Sequence, residues 1–128
     1  MSKALVNEIR RSAYVGEVAS ERQTYFVLDA TKVYVLLNFS AARTGYLNLI
    51  DKRAVQYVQK RFGGEKNLTA TALAARVRSG TFVRDRLDAL RILYVLEALG
   101  QASRRRARPP ARGFLFNLRK PKERRAAA

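Results

Sequence analysis

Ten cations in the second half of the chain are the residues best suited to do chemistry. Arg84, Arg86 and Arg91 fall within one apolar-periodic stretch. Arg104, Arg105, Arg106, Arg108 and Arg112 crowd a short run interrupted by Pro109-Pro110, and Arg119 and Lys120 lie just beyond it. A guanidinium is planar, permanently charged and carries parallel donors that fit two acceptors on a phosphate or a guanine edge at once. Arginines grouped in this way point to binding a polyanion, not to proton transfer.

Catalytic alternatives have little to stand on. The chain has no cysteine and no histidine, which removes thiolate metal sites, cysteine nucleophiles and imidazole acid-base work together. Glu17, Glu21 and Asp29, with Lys32 beyond, are the one carboxylate group with any spacing logic. A metal-dependent nuclease strand needs an acidic residue two positions before the lysine, and Ala30 occupies that position. No glycine-rich phosphate loop or metal-ligand spacing is present. The expectation is a non-enzymatic protein with no cofactor and no metal.

Charge strengthens the polyanion reading. The chain has 128 residues with 26 Lys and Arg against 10 Asp and Glu, for a formal charge of +16. Residues 1–65 hold 10 basic and 6 acidic side chains, whereas residues 66–128 hold 16 and 4. So lopsided a chain repels itself unless a polyanion is its partner, and nucleic acid is the leading one. Hydrophobic residues make up 48%, enough for a packed core. The charge-broken N-terminus does not resemble a signal peptide, and no apolar run approaches the roughly 18 residues a membrane span needs. A cytoplasmic, nucleoid-associated protein that avoids membranes is expected.

The elements that must position these arginines can be read in chain order. Residues 3–15 place Leu5, Ile9 and Ser12-Ala13 at helical spacing, with Val6 beside them, and Gly16 ends the segment. Thr24–Leu28 and Val33–Phe39 are rich in β-branched and aromatic residues and flank a turn-like Asp29–Lys32, so they read as a hairpin. Ser40–Thr44 is a polar loop before a third strand, Tyr46–Ile50. Asp51 caps a helix carrying Val55, Val58 and Phe62, which Gly63-Gly64 stops. Residues 1–62 are thus an α-β-β-β-α module with a three-stranded antiparallel sheet. Three strands and a helix resemble the small sheet domains that read DNA in plant AP2 factors and integrase arm-binding domains, though no motif residue matches. A sheet that packs on the second half or forms a dimer interface is the favoured reading. Tyr25, Tyr34, Phe39 and Tyr46 supply aromatic surface that a homodimer could use.

Beyond the short boundary at residues 63–67, Thr69 or Asn67 can cap a helix bearing Leu73 and Val77, which Ser79-Gly80 breaks. A longer helix follows, with Leu87, Leu90, Ile92-Leu93, Val95-Leu96 and Leu99 on a stripe wide enough to be buried on more than one side. Gly100 ends it. Two extended runs, Gln101–Arg106 and Gly113–Lys120, enclose a loop at 108–112 stiffened by its prolines. Leu96, Leu99 and Gly100, the basic outgoing run and the alternating apolar return of Phe114, Phe116 and Leu118 resemble the winged helix-turn-helix family over residues 68–120. Residues 121–128 form a basic tail.

That resemblance implies an α+β fold and a docking mode. The long helix would enter the major groove, led by Arg84, Arg86 and Arg91. The wing would lie on the backbone, with Arg104, Arg105, Arg106, Arg108 and Arg112 as contacts and Arg119 and Lys120 beside them. Asp85 and Asp88 depart from this scheme, because carboxylates among the helix arginines repel phosphate. Asp88 stands four residues after Arg84 and three before Arg91, so intrahelical pairing is the competing role for those arginines. Duplex DNA is the expected partner, in a transcriptional or chromatin role. RNA or ribosome association is the alternative that the arginine content and basic tail also suit.

Overall fold

The computed structural model describes residues 3, 7, 10–20, 23–39, 44–77, 82–111 and 113–121. Strands β1 (Ala13–Ala19), β2 (Thr24–Asp29), β3 (Val33–Phe39) and β4 (Gly45–Asp51) form an antiparallel meander in the order β1-β2-β3-β4. The sheet has four strands, not the three expected, because residues 13–19 extend where a helix end was read. The cause is local. The register shifts between Tyr14 and Gly16, so one residue bulges out. Val15 and Val18 both lean on the core, and the bulge leaves them three apart, a helical spacing inside a strand. Gly16 sits at that bulge and ends no helix. Lys3, Asn7, Arg10 and Arg11 do have helical backbone, while Leu5, Val6 and Ile9 lie outside the described residues.

Asp51 caps α1 (Lys52–Phe62) as its carboxylate accepts from the Arg53 amide at 2.8 Å. Thr69 caps α2 (Ala70–Arg76), its hydroxyl accepting from the Ala72 amide at 3.0 Å. Asp85 caps α3 (Arg86–Ala98) by accepting from the Asp88 amide at 2.8 Å. The hairpin β5 (Ala102–Arg106) and β6 (Phe114–Leu118) closes the fold. Between α1 and α2, Leu68 and Phe116 exchange both backbone bonds at 2.8 Å, adding a one-residue third strand to that hairpin.

The two halves share one core. Val18, Val27, Leu36 and Ile50 from the sheet join Phe62, Leu73, Leu93, Leu96 and Phe116 in a single buried cluster. At the centre is α3, where the consecutive residues Ile92 to Leu96 are all buried. It has the sheet on one side, α1 and α2 on another, and the hairpin on a third. Each such large side chain contributes about 1.5–3 kcal/mol, so α3 is the element the fold can least spare. Its stripe is wide because three layers meet on it.

This packing uses up part of the aromatic surface on which a homodimer was expected to rest. Tyr25 stacks on Tyr94 with ring centroids 5.4 Å apart, and Tyr34 leans on the core with the Lys52 ammonium 5.1 Å from its ring centroid. Phe39 and Tyr46 remain more than half exposed, near the β3–β4 end of the sheet.

Candidate nucleic-acid interface

Strand geometry sorts the wing arginines into two sets. Residues paired across the hairpin share a face, and faces alternate along each strand. Ala102, Arg104 and Arg106 stand opposite Leu118, Phe116 and Phe114, on the side that meets the core. Ser103 and Arg105, opposite Asn117 and Leu115, take the other side. Three consecutive arginines therefore do three different things.

Arg104 turns inward. Its side chain is only 14% exposed, and its Nε donates to a Glu97 carboxylate oxygen at 2.6 Å. One terminal nitrogen donates to the Ala19 carbonyl at the end of β1. The guanidinium carbon lies 4.2 Å from the Phe114 ring centroid and 5.5 Å from that of Tyr94. Burial pushes the Glu97 carboxyl above its ordinary range, outweighing the pull of Arg104. Arg104 thus ties β5 to α3 and to the sheet, and its charge is spent inside the protein.

Arg105 points outward and donates to the Asn67 side-chain carbonyl at 2.7 Å. Arg106 lies over the opposite Phe114 ring at 5.7 Å, still exposed. Arg108 is exposed at the start of the turn, and Arg112 lies outside the described residues. Arg119 and Lys120 are exposed at the far end of the hairpin, where the Lys120 stem runs beside Gly64. The five residues of β5 span roughly 16 Å, so these two cations form a separate group from Arg106 and Arg108.

On the helix side the carboxylates have defined jobs. Asp85 is the cap of α3. Asp88 accepts from the Arg84 backbone at 3.2 Å and from its Nε at 2.9 Å, the pairing that competes with a nucleic-acid role for Arg84. Burial disfavours the charged form of Asp88, but the Arg84 hydrogen bonds outweigh it and hold the carboxyl below its ordinary range. Arg91 is half-buried and adds its field to the same carboxylate. Arg86 is the first residue of α3 and exposed.

Arg86 and Arg106 both line a cleft of about 850 Å³. One stripe of α3 lines it with Arg86, Leu90 and Tyr94, spaced four apart. The start of α2 contributes Thr69 and Thr71. The wing contributes Arg106 and Phe114, and the sheet module contributes Ser20 and Gln23 between β1 and β2 and Tyr25 on β2. Among the described residues that line it there is no carboxylate. Sequence reading singled out the two arginines but not the cleft, because part of its wall comes from the sheet module, remote in the chain. Of the carboxylates grouped in the sequence, Glu17 is exposed on β1, Asp29 pairs with Lys52, and Glu21 lies outside the described residues. Among the described residues, no three metal-binding side chains gather, and no helix is long and apolar enough to cross a membrane.

Comparison with protein-family models, with curated proteins and with solved structures finds no match to this chain.

Proposed function

We propose that the chain is a non-enzymatic nucleic-acid-binding protein that docks on duplex DNA through a winged helix-turn-helix, in a transcriptional or chromatin role. The observation that carries the reading is the order α1, bridging residue Leu68, α2, α3, β5–β6, with Leu68 paired to the returning strand of the hairpin. That order supports the resemblance to a winged helix. Electrostatics agree in sign: Arg86 at the open end of α3 and Arg105, Arg106 and Arg108 on the hairpin are exposed. Base edges and phosphates are reached by such groups at a helix start and a wing.

The test is a salt titration of binding to a random-sequence duplex and to a structured RNA of similar length. The logarithm of affinity should fall linearly with the logarithm of salt, by about 0.9 for each phosphate neutralised. The duplex should bind more tightly. Tighter RNA binding, or no duplex binding at low salt, would transfer the reading to an RNA-associated role or end it.

A further inference from the structure

The cleft between α3, the wing and the sheet is the wrong shape for a paired duplex. A duplex presents phosphates on a convex surface, with its bases stacked inside. A cleft of about 850 Å³ that reaches Tyr25, Tyr94 and Phe114 would leave that depth unused against it. It falls instead in the range of roughly 300–1,000 Å³ typical of small-ligand sites.

Its chemistry fits one unstacked nucleotide. Arg86 and Arg106 stand on different walls and can take a phosphate from two sides. The Arg106 guanidinium lies over Phe114, whose ring also carries Arg104, and layered planes of this kind are what an unstacked base rests on. Ser20, Gln23, Thr69 and Thr71 supply neutral hydroxyl and amide groups around the same space, the kind that pair with a base edge. Among the described residues that line the cleft there is no carboxylate to repel the phosphate. The sheet module also gains a task here, since Ser20, Gln23 and Tyr25 help to line the cleft.

Resting on the nucleic-acid reading above, we infer that this cleft takes an unpaired nucleotide of a bound strand, so the protein favours duplexes carrying a bulge or overhang over fully paired ones. The experiment measures affinity for a paired DNA duplex and for the same duplex with one bulged 2-aminopurine nucleotide, whose fluorescence falls when it stacks. Free AMP is added as a competitor in a separate arm. The bulged duplex should bind about tenfold more tightly, within the range of stacking one base on a protein platform, and its fluorescence should drop on binding. Thr71→Trp, an exposed position on the cleft wall, should return the affinity ratio to about one and abolish the quench. Equal affinity for both duplexes without quenching would overturn the inference while leaving duplex binding intact. Competition by free AMP with no advantage for the bulge would overturn it in favour of a mononucleotide site. Binding to neither duplex at low salt would overturn it together with the reading it rests on.

Discussion

Replacing Arg104 by alanine separates structure from binding. The side chain makes a charge-assisted bond to Glu97 and another to the Ala19 carbonyl, and it lies over two rings. Removing one partner of a fully buried pair costs about 3–5 kcal/mol, because the other charge is left uncompensated. Glu97 keeps 22% of its side chain exposed and water can reach part of it, so a loss of roughly 2–4 kcal/mol is expected from the pair and the ring contacts together. Against a total stability of about 5–15 kcal/mol this is large. At roughly 3–5 °C per kcal/mol for a domain of this size, thermal unfolding followed by circular dichroism should shift down by about 6–20 °C.

The pH dependence of that loss makes the test sharper. Burial raises the Glu97 carboxyl, so the folded state holds this proton more tightly than the unfolded chain. Stability from this group is therefore greatest at low pH and declines as pH rises through the raised value. Without Arg104 the charged form is worse still. The cost of Arg104→Ala should thus be smaller near pH 4, where Glu97 holds its proton more of the time, than near pH 7. Glu97→Gln keeps an acceptor for Arg104 without the buried charge and should cost less than Arg104→Ala at pH 7. A loss below 1 kcal/mol that is the same at both pH values would refute the argument. So would an Arg104→Ala protein that folds normally and binds nucleic acid much more weakly.

The remaining expectations concern the open surface and the acid limb. Arg105→Ala or Arg108→Ala should weaken all duplexes about equally and reduce the salt slope by about one, read by anisotropy across salt; a loss confined to one sequence would contradict a phosphate role. Asp51 and Glu65, ionised by hydrogen bonds from Arg53 and Arg76, and Asp88, where bonds from Arg84 outweigh burial, all have carboxyls below their ordinary range. Each contributes stability that is complete above about pH 4.5 and lost as pH falls through the lowered value, so urea midpoints should drop on acidification below pH 4. Arg86→Ala should erase any base preference found by selection from random duplexes, a loss of about 1–3 kcal/mol at one base pair; a preferred site that survives it would show that other residues read bases.

Elements whose signals are local were legible in the sequence. The caps at Asp51 and Thr69, the stop at Gly63-Gly64 and the β5–β6 pairing all follow from side chains within a few residues of where they act. β1 was not legible: the helical spacing of Leu5, Ile9 and Ser12-Ala13 was carried on to residue 15, and the bulge between Tyr14 and Gly16 breaks the alternation that would have marked a strand. Arg104 could not be told from Arg105 and Arg106 by type, since only strand alternation and the position of Glu97 separate them. The cleft was out of reach for a different reason. It joins Ser20, Gln23 and Tyr25 to the start of α2, to one stripe of α3 and to Arg106 and Phe114 on the hairpin, and no periodicity within a chain encodes such a meeting.

How α3 is buried limits what it can do. A helix that reads a groove along its length must keep one long face open, yet Ile92 to Leu96 are covered on all sides. The sheet reaches its last turn, where the Ala98 carbonyl lies 3.7 Å from where a Gly16 side chain would begin. Among the described residues of α3, only the first turn is freely exposed, through Arg86 and Leu87. In the proposed docking α3 can therefore meet a groove only end-on, with few base edges in reach. Most affinity must then come from phosphate contacts on the hairpin, which position without specifying. The sheet costs the helix its reading face and in return helps to line the cleft, so selectivity of this protein should follow nucleic-acid shape more than sequence.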